Sequence, residues 1–323
     1  MFDILALLLL LVSLAISLLI SIPLVGALVR LRANYNPKGL QLDDEGNVEP
    51  HTGPVVTTFF GMLRRVKRIE GWAGLYKGLM PSLIETTFLT LFAVIALNGN
   101  PRQHGRTTPP ESGIIGTLIY AAFSIILSMP ATILTYRAIT TPYKLPYFRL
   151  MYSLRILLTP TERRRPWILF LTPGLFLAQF LRSAYLIIVL RTIRRFLVPT
   201  TSDTTSGFEI HPIKFTVYAV IAILSTAVLC PLEVMTTKLA IQRNHAAAEY
   251  NSVEQEVEPD AVSGEEYVEY SGAEEDVIGL RHEKDPYLGL LDCARRVSQE
   301  EGWQALYRVW WFTMLVGVGS AFA

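Results

Sequence analysis

The chain has 323 residues, of which 51% are hydrophobic and 18% charged, and its formal net charge is +1. Soluble domains carry roughly 25% charged residues, so this depletion excludes an ordinary soluble globular class. The near-neutral balance gives no overall attraction to nucleic acid, and Cys230 and Cys293 stand too far apart for a metal or redox spacing.

Leu5–Val29 contains no charged side chain, enough to cross a hydrocarbon core about 30 Å thick as a helix. Only Asp3 precedes the run, and positive charge follows it at Arg30, Arg32 and Lys38. A cleaved signal peptide has the opposite charge order, so the segment reads as a retained span. Further apolar stretches follow. Leu79–Leu97 holds only Glu85, Gly113–Thr141 only Arg137, Trp167–Leu190 only Arg182, Phe215–Ile241 only Glu233 and Lys238, and Trp310–Ala323 no charge. The last is short, and a full span there has to begin near Ala305. The expected fold is therefore all-α membrane: six transmembrane helices, each pairing its own backbone groups away from water.

The connections alternate. Asn98–Ser112 and Val198–His211 are short and turn-like, whereas Val55–Ile69, Pro146–Leu158 and Leu288–Ser298 sit in longer links and are amphipathic. These three read as short helices along a membrane surface, or as ordinary surface helices. Basic residues collect in the long links, at Arg64, Arg65, Lys67, Arg68, Arg163, Arg164, Arg165, Arg295 and Arg296, which places that side at the inner face. Glu249–Asp276 holds eleven acidic residues and no Lys or Arg. It reads as an acidic disordered insert, spanning 246–285 with its flanks, that builds no core and is either neutral or a docking site for a basic protein partner.

Three spans carry a proline followed seven residues later by a basic residue: Pro23 and Arg30, Pro130 and Arg137, Pro231 and Lys238. The prolines recur about every hundred residues, as expected of three repeats at 1–100, 108–200 and 210–323 with kinked helices. A second element, Glu-Gly-Trp-x-x-Leu-Tyr-basic, occurs at Glu70–Lys77 and Glu301–Arg308. The middle repeat keeps only Pro166-Trp167 and Leu169-Phe170 there.

On these residues the chain resembles the mitochondrial carrier family. Cys230-Pro-Leu-Glu-Val-Met-Thr-Thr-Lys238 is close to that family's odd-span signature, Glu70–Gly78 to its link ending, and Tyr287-x-Gly289-x-x-Asp292 to its surface-helix start. The resemblance implies a single pseudo-threefold domain of six helices that moves a small solute across a mitochondrial membrane by alternating access, inner in preference to outer. It implies no covalent chemistry and no cofactor. A matrix-side gate falls on Arg30, Arg137, Glu233 and Lys238. Of the three acidic gate positions only Glu233 survives, with Val25 and Thr132 at the others, so three cations face one anion. The even spans lack the opposing gate, since Phe92-Ala-Val-Ile-Ala and Tyr185-Leu-Ile-Ile-Val carry no charge. Substrate contacts are expected at Glu85, Gln179 and Arg182, although Glu85 can also pair locally and Arg182 can snorkel. Cardiolipin or another anionic lipid is expected where backbone N–H groups open helices, at Gly71, Trp72, Gly302 and Trp303. The alternative is a carrier-fold scaffold of the outer membrane that no longer transports. No phosphate loop and no His pair with metal spacing is present.

Overall fold

The computed structural model describes residues 4–38, 41–42, 48–49, 56–98, 113–147, 149–197, 212–244, 270–272, 275–283 and 285–319. The turn-like connections at 98–112 and 198–211 fall almost wholly outside these. The described chain is mostly helical, with one two-residue strand pair, β1 (Gln41–Leu42) and β2 (Val48–Glu49).

Three long helices each contain a proline: α1 (Ile4–Ala33, Pro23), α5 (Ile114–Thr140, Pro130) and α10 (Pro212–Ile241, Pro231). They touch one another pairwise. Between α1 and α5 come α2 (Phe59–Ile69), α3 (Gly71–Leu75) and α4 (Leu79–Asn98). After α5 come α6 (Leu150–Leu157), α7 (Pro160–Arg164) and a 3₁₀ turn, Pro166–Leu171. The next long helix runs Leu175–Leu197, made of α8 (Leu175–Tyr185), a π segment (Leu186–Arg191) and α9 (Thr192–Leu197). The chain continues past α10 to α11 (Leu290–Glu300), a 3₁₀ turn at Trp303–Tyr307, and α12 (Trp310–Gly319). Helix α4 packs on α5, and both α8 and α12 pack on α10.

Among the described residues, four helices are long and apolar enough to cross a membrane: Ile16–Ala33, Ile114–Thr140, Leu175–Leu197 and Pro212–Ile241. Their outer faces leave Ile16, Leu19, Ile119, Phe123, Ile223 and Leu224 exposed, as lipid-facing residues must be. The last apolar helix does not begin near Ala305. Residues 303–307 form the 3₁₀ turn, Val309 takes φ 58°, and the helix starts only at Trp310.

The surface helices turn their apolar faces inward. On α2, Phe59, Met62 and Val66 lie one and two turns apart on one face and are buried against Ala27, Leu28 and Leu31 of α1. Each such burial contributes about 1.5–3 kcal/mol. Phe60, on another face, remains exposed. The α11 face of Leu290, Cys293 and Val297 packs likewise into a cluster with Met129 and Ile133 of α5 and Leu239 of α10.

The insert expected to build no core over 246–285 does so at its C-terminal side. Val277 and Ile278 are buried in the same cluster as α1 and α2. Two adjacent β-branched residues behind the acidic run supply the apolar surface that the run lacks. Residues 245–269 lie outside the described part.

Candidate functional site

The charged residues of the bundle form two layers. The first lies at the C-terminal ends of the three proline helices. Arg30 reaches the Glu70 carboxylate at 2.6 Å, and Lys77 reaches its other oxygen at 2.5 Å. Arg137 grips Glu162 with both guanidinium nitrogens, at 2.6 and 2.8 Å. Lys238 meets Glu301 at 2.6 Å, with Arg308 at 2.8 Å on the second oxygen. Each glutamate closes the link that follows its own proline helix. All six of these primary partners are nearly water-free, and a buried charge of this kind persists only when paired.

This layer corrects the expectation of three cations facing one anion. Arg30, Arg137 and Lys238 do not meet Glu233. They pair with Glu70, Glu162 and Glu301, so three cations have three carboxylates. In the link after α5 the signal was hidden, because Glu162 stands in Thr-Glu-Arg-Arg-Arg-Pro-Trp rather than in Glu-Gly-Trp. There Thr159 and Glu162 form a capping box at the start of α7. Burial alone would raise the Glu162 carboxyl. The Arg137 bonds, with backbone N–H groups of Asn244 and Thr159, more than offset this and hold it below the usual carboxylate range. Lys77 is pushed down to about 8 by burial, against the pull of Glu70. It also donates to the Thr141 carbonyl at 2.8 Å, joining the α3–α4 corner to the end of α5.

The second layer is built around Glu233, two residues beyond Pro231. Arg32 donates to it at 2.6 Å and Arg182 lies 3.1 Å away. Thr313 of α12 donates to Glu233 at 2.7 Å and accepts from Arg32 at 2.9 Å. One carboxylate thus ties α1, α8, α10 and α12 together. The Arg182 side chain is 40% exposed and that of Glu233 12%. The buried Nε atoms of Arg32 and Arg182 have no hydrogen-bond partner.

The expected substrate residues lie around this layer. Glu85 accepts from Thr132 at 3.4 Å, and Tyr136, one turn further along α5, feels the charges of Arg182, Arg32, Glu233 and Glu85. Gln179 is half-buried and three residues before Arg182, hence on the same face of α8. The structure therefore groups Glu85 and Arg182 near one tyrosine, and it adds Arg32, Tyr136 and Thr313. Arg32 was passed over because it lies two residues beyond the signature position occupied by Arg30.

Gly71 and Gly302 both take positive φ, 70° and 89°, and each precedes an exposed tryptophan, Trp72 or Trp303. The Lys38 ammonium group fills the space where a side chain at 302 would stand. A cavity of about 700 Å³ opens between the α3–α4 corner, α5 and α6, walled by apolar side chains with Lys77, Lys144 and Arg149 among them. No group of three potential metal ligands occurs among the described residues.

Comparison with known proteins agrees with the C-terminal signature. The model of the mitochondrial carrier protein family matches residues 211–323. No curated protein matches the chain. The matched stretch contains Pro231, Glu233, Lys238 and Glu301, residues on which both charged layers are built. Proteins of this family are transporters of mitochondrial membranes, and the 211–323 segment of this chain is similar to them.

Proposed function

We propose that this protein is a six-span, three-repeat carrier that moves a small anionic solute across a mitochondrial membrane, the inner one in preference to the outer, by alternating access. The observation that carries this is the shared carboxylate: Glu233 is held by two guanidinium groups, and one of them, Arg182, is partly open. In an apolar bundle a charge is costly unless paired or wet, so Glu233 holds Arg182 in place when no solute is present. A carboxylate or phosphate on a solute can replace Glu233 on Arg182, since a guanidinium matches such groups in a bidentate fork. Releasing Glu233 weakens the tie between α8 and α10, which couples occupancy to helix separation. Glu85, Gln179 and Tyr136 then line the path beside it. The Arg30, Arg137 and Lys238 pairs hold each proline helix to its own link, so that the helices tilt with their surface helices as units.

The cavity beside α4, α5 and α6 fits an anionic lipid such as cardiolipin. Its apolar wall suits acyl chains, and Lys144 and Arg149 suit a phosphate. Arg182→Ala is expected to abolish uptake into liposomes while membrane insertion and the thermal midpoint stay near wild type. Retained uptake in that variant would remove Arg182 from the solute path.

A further inference from the structure

The described residues 270–272, 275–283 and 285–287, at the C-terminal side of the acidic insert, do not leave the bundle. They touch the ends of all three proline helices. At α5, Ser271 donates its N–H to the Pro142 carbonyl at 2.8 Å, and the rings of Tyr270 and Tyr143 stand 4.9 Å apart. At α1, Gly279 donates to Asn34 Oδ1 at 3.0 Å and accepts from the Tyr35 N–H at 2.8 Å. At α10, Gln242 and Tyr287 exchange two hydrogen bonds, at 3.2 and 3.0 Å. From the outside, Arg65 of α2 donates to the Asp276 and Val277 carbonyls and to Glu275. Val277 and Ile278 are pressed into the apolar cluster at the end of α1.

A cavity of about 100 Å³ lies at the crossing, lined by Ala33, Thr140 and Ile241, one from each proline helix, and by Leu280, His282 and Pro286. The Arg, Lys, Asp and Glu side chains around it are matched: Arg137 with Glu162, Lys238 with Glu301, Arg243 with Glu283, and Arg281 with Asp285 and Glu300. A strap fixed to three helix ends by hydrogen bonds, with its apolar pair buried, resists their separation. Polar loops that merely connect elements do not bury adjacent β-branched residues in this way.

We propose that residues 270–272, 275–283 and 285–287 form a built-in clamp that holds this end of the bundle closed, and that it must undock before the three proline helices can part. This does not depend on the nature of the solute, or on transport taking place.

The test is hydrogen exchange of the full chain in lipid nanodiscs, wild type against Val277→Asp/Ile278→Asp and, separately, Arg65→Ala. Undocking the strap is expected to raise exchange of amides 28–34, 137–142 and 238–242 by about tenfold in the double variant, and by a few fold in Arg65→Ala, with α8 and α12 unchanged. Faster exchange of the strap alone, with the three helix ends as protected as in wild type, would overturn the proposal. Uniformly faster exchange in the double variant would report loss of the fold, and the milder Arg65→Ala then decides: loosening confined to the strap and helix ends supports the clamp, and loosening of the strap alone rejects it.

Discussion

The Arg137–Glu162 pair shows most directly how single residues hold this bundle. Both side chains are almost completely buried, and each carboxylate oxygen accepts more than one hydrogen bond. Glu162→Gln leaves the guanidinium without its counter-charge, and the expected loss is about 3–5 kcal/mol, read as a drop in the thermal or denaturant midpoint. An Arg137→Met/Glu162→Leu double variant should lose much less, because neither charge is then stranded; an equal or larger loss would show that packing rather than charge holds the site. Glu162 also makes the protein acid-sensitive. Its folded-state carboxyl sits below the ordinary value, so its stabilising contribution is complete above that value and is lost as pH falls through the folded one. Lys77 works the other way. Its folded-state value of about 8 lies below the ordinary 10.5, so between the two the unfolded chain binds the extra proton. Stability should therefore rise more steeply from pH 8 to 10 in wild type than in Lys77→Gln; parallel curves would contradict the shift. The odd-span cations were legible in the sequence from their spacing after proline. Their partners were not, because the distance along the chain from cation to glutamate differs for each of the three pairs and only folding brings the two together.

At the scale of elements, the proline helices and the amphipathic surface helices follow from apolar runs and 3.6-residue periodicity, and the structure places them close to where the sequence does. Two local features did not show. The apolar face of α2 is turned to α1 rather than to lipid, which periodicity cannot distinguish, since either environment buries the same stripe. The strap at 277–278 was masked by the acidic composition before it. The corner between α3 and α4 turns on Gly78, whose φ of 89° disfavours a side chain and whose Cβ would stand 2.9 Å from Ile139 of α5. Gly78→Ala is expected to cost roughly 1–3 kcal/mol of stability and to loosen α4 from α5. A thermal midpoint within one degree or so of wild type would mean that the corner relaxes freely.

For the whole molecule, the two charged layers divide the work. The first layer, buried and with each charge paired, fixes each proline helix to its own link. The layer around Glu233 joins four helices through one carboxylate that two arginines share, and it is the only one of the two with a partly open cation. The apolar helices and the likeness of 211–323 to the carrier family were legible because apolar runs and motifs are written along the chain. The proposed solute site was legible only in part: Glu85, Gln179 and Arg182 stand out as polar residues in apolar runs, whereas Arg32, Tyr136 and Thr313 gain meaning only from convergence. The most direct test of the account is uptake by the purified chain in cardiolipin-containing liposomes, assayed with a panel of carboxylates and phosphates beside neutral and cationic solutes, in wild type and Arg182→Ala. The account predicts saturable uptake of an anion by wild type and none by the variant. Absence of anion uptake by protein shown to be folded, or uptake indifferent to Arg182, would contradict it.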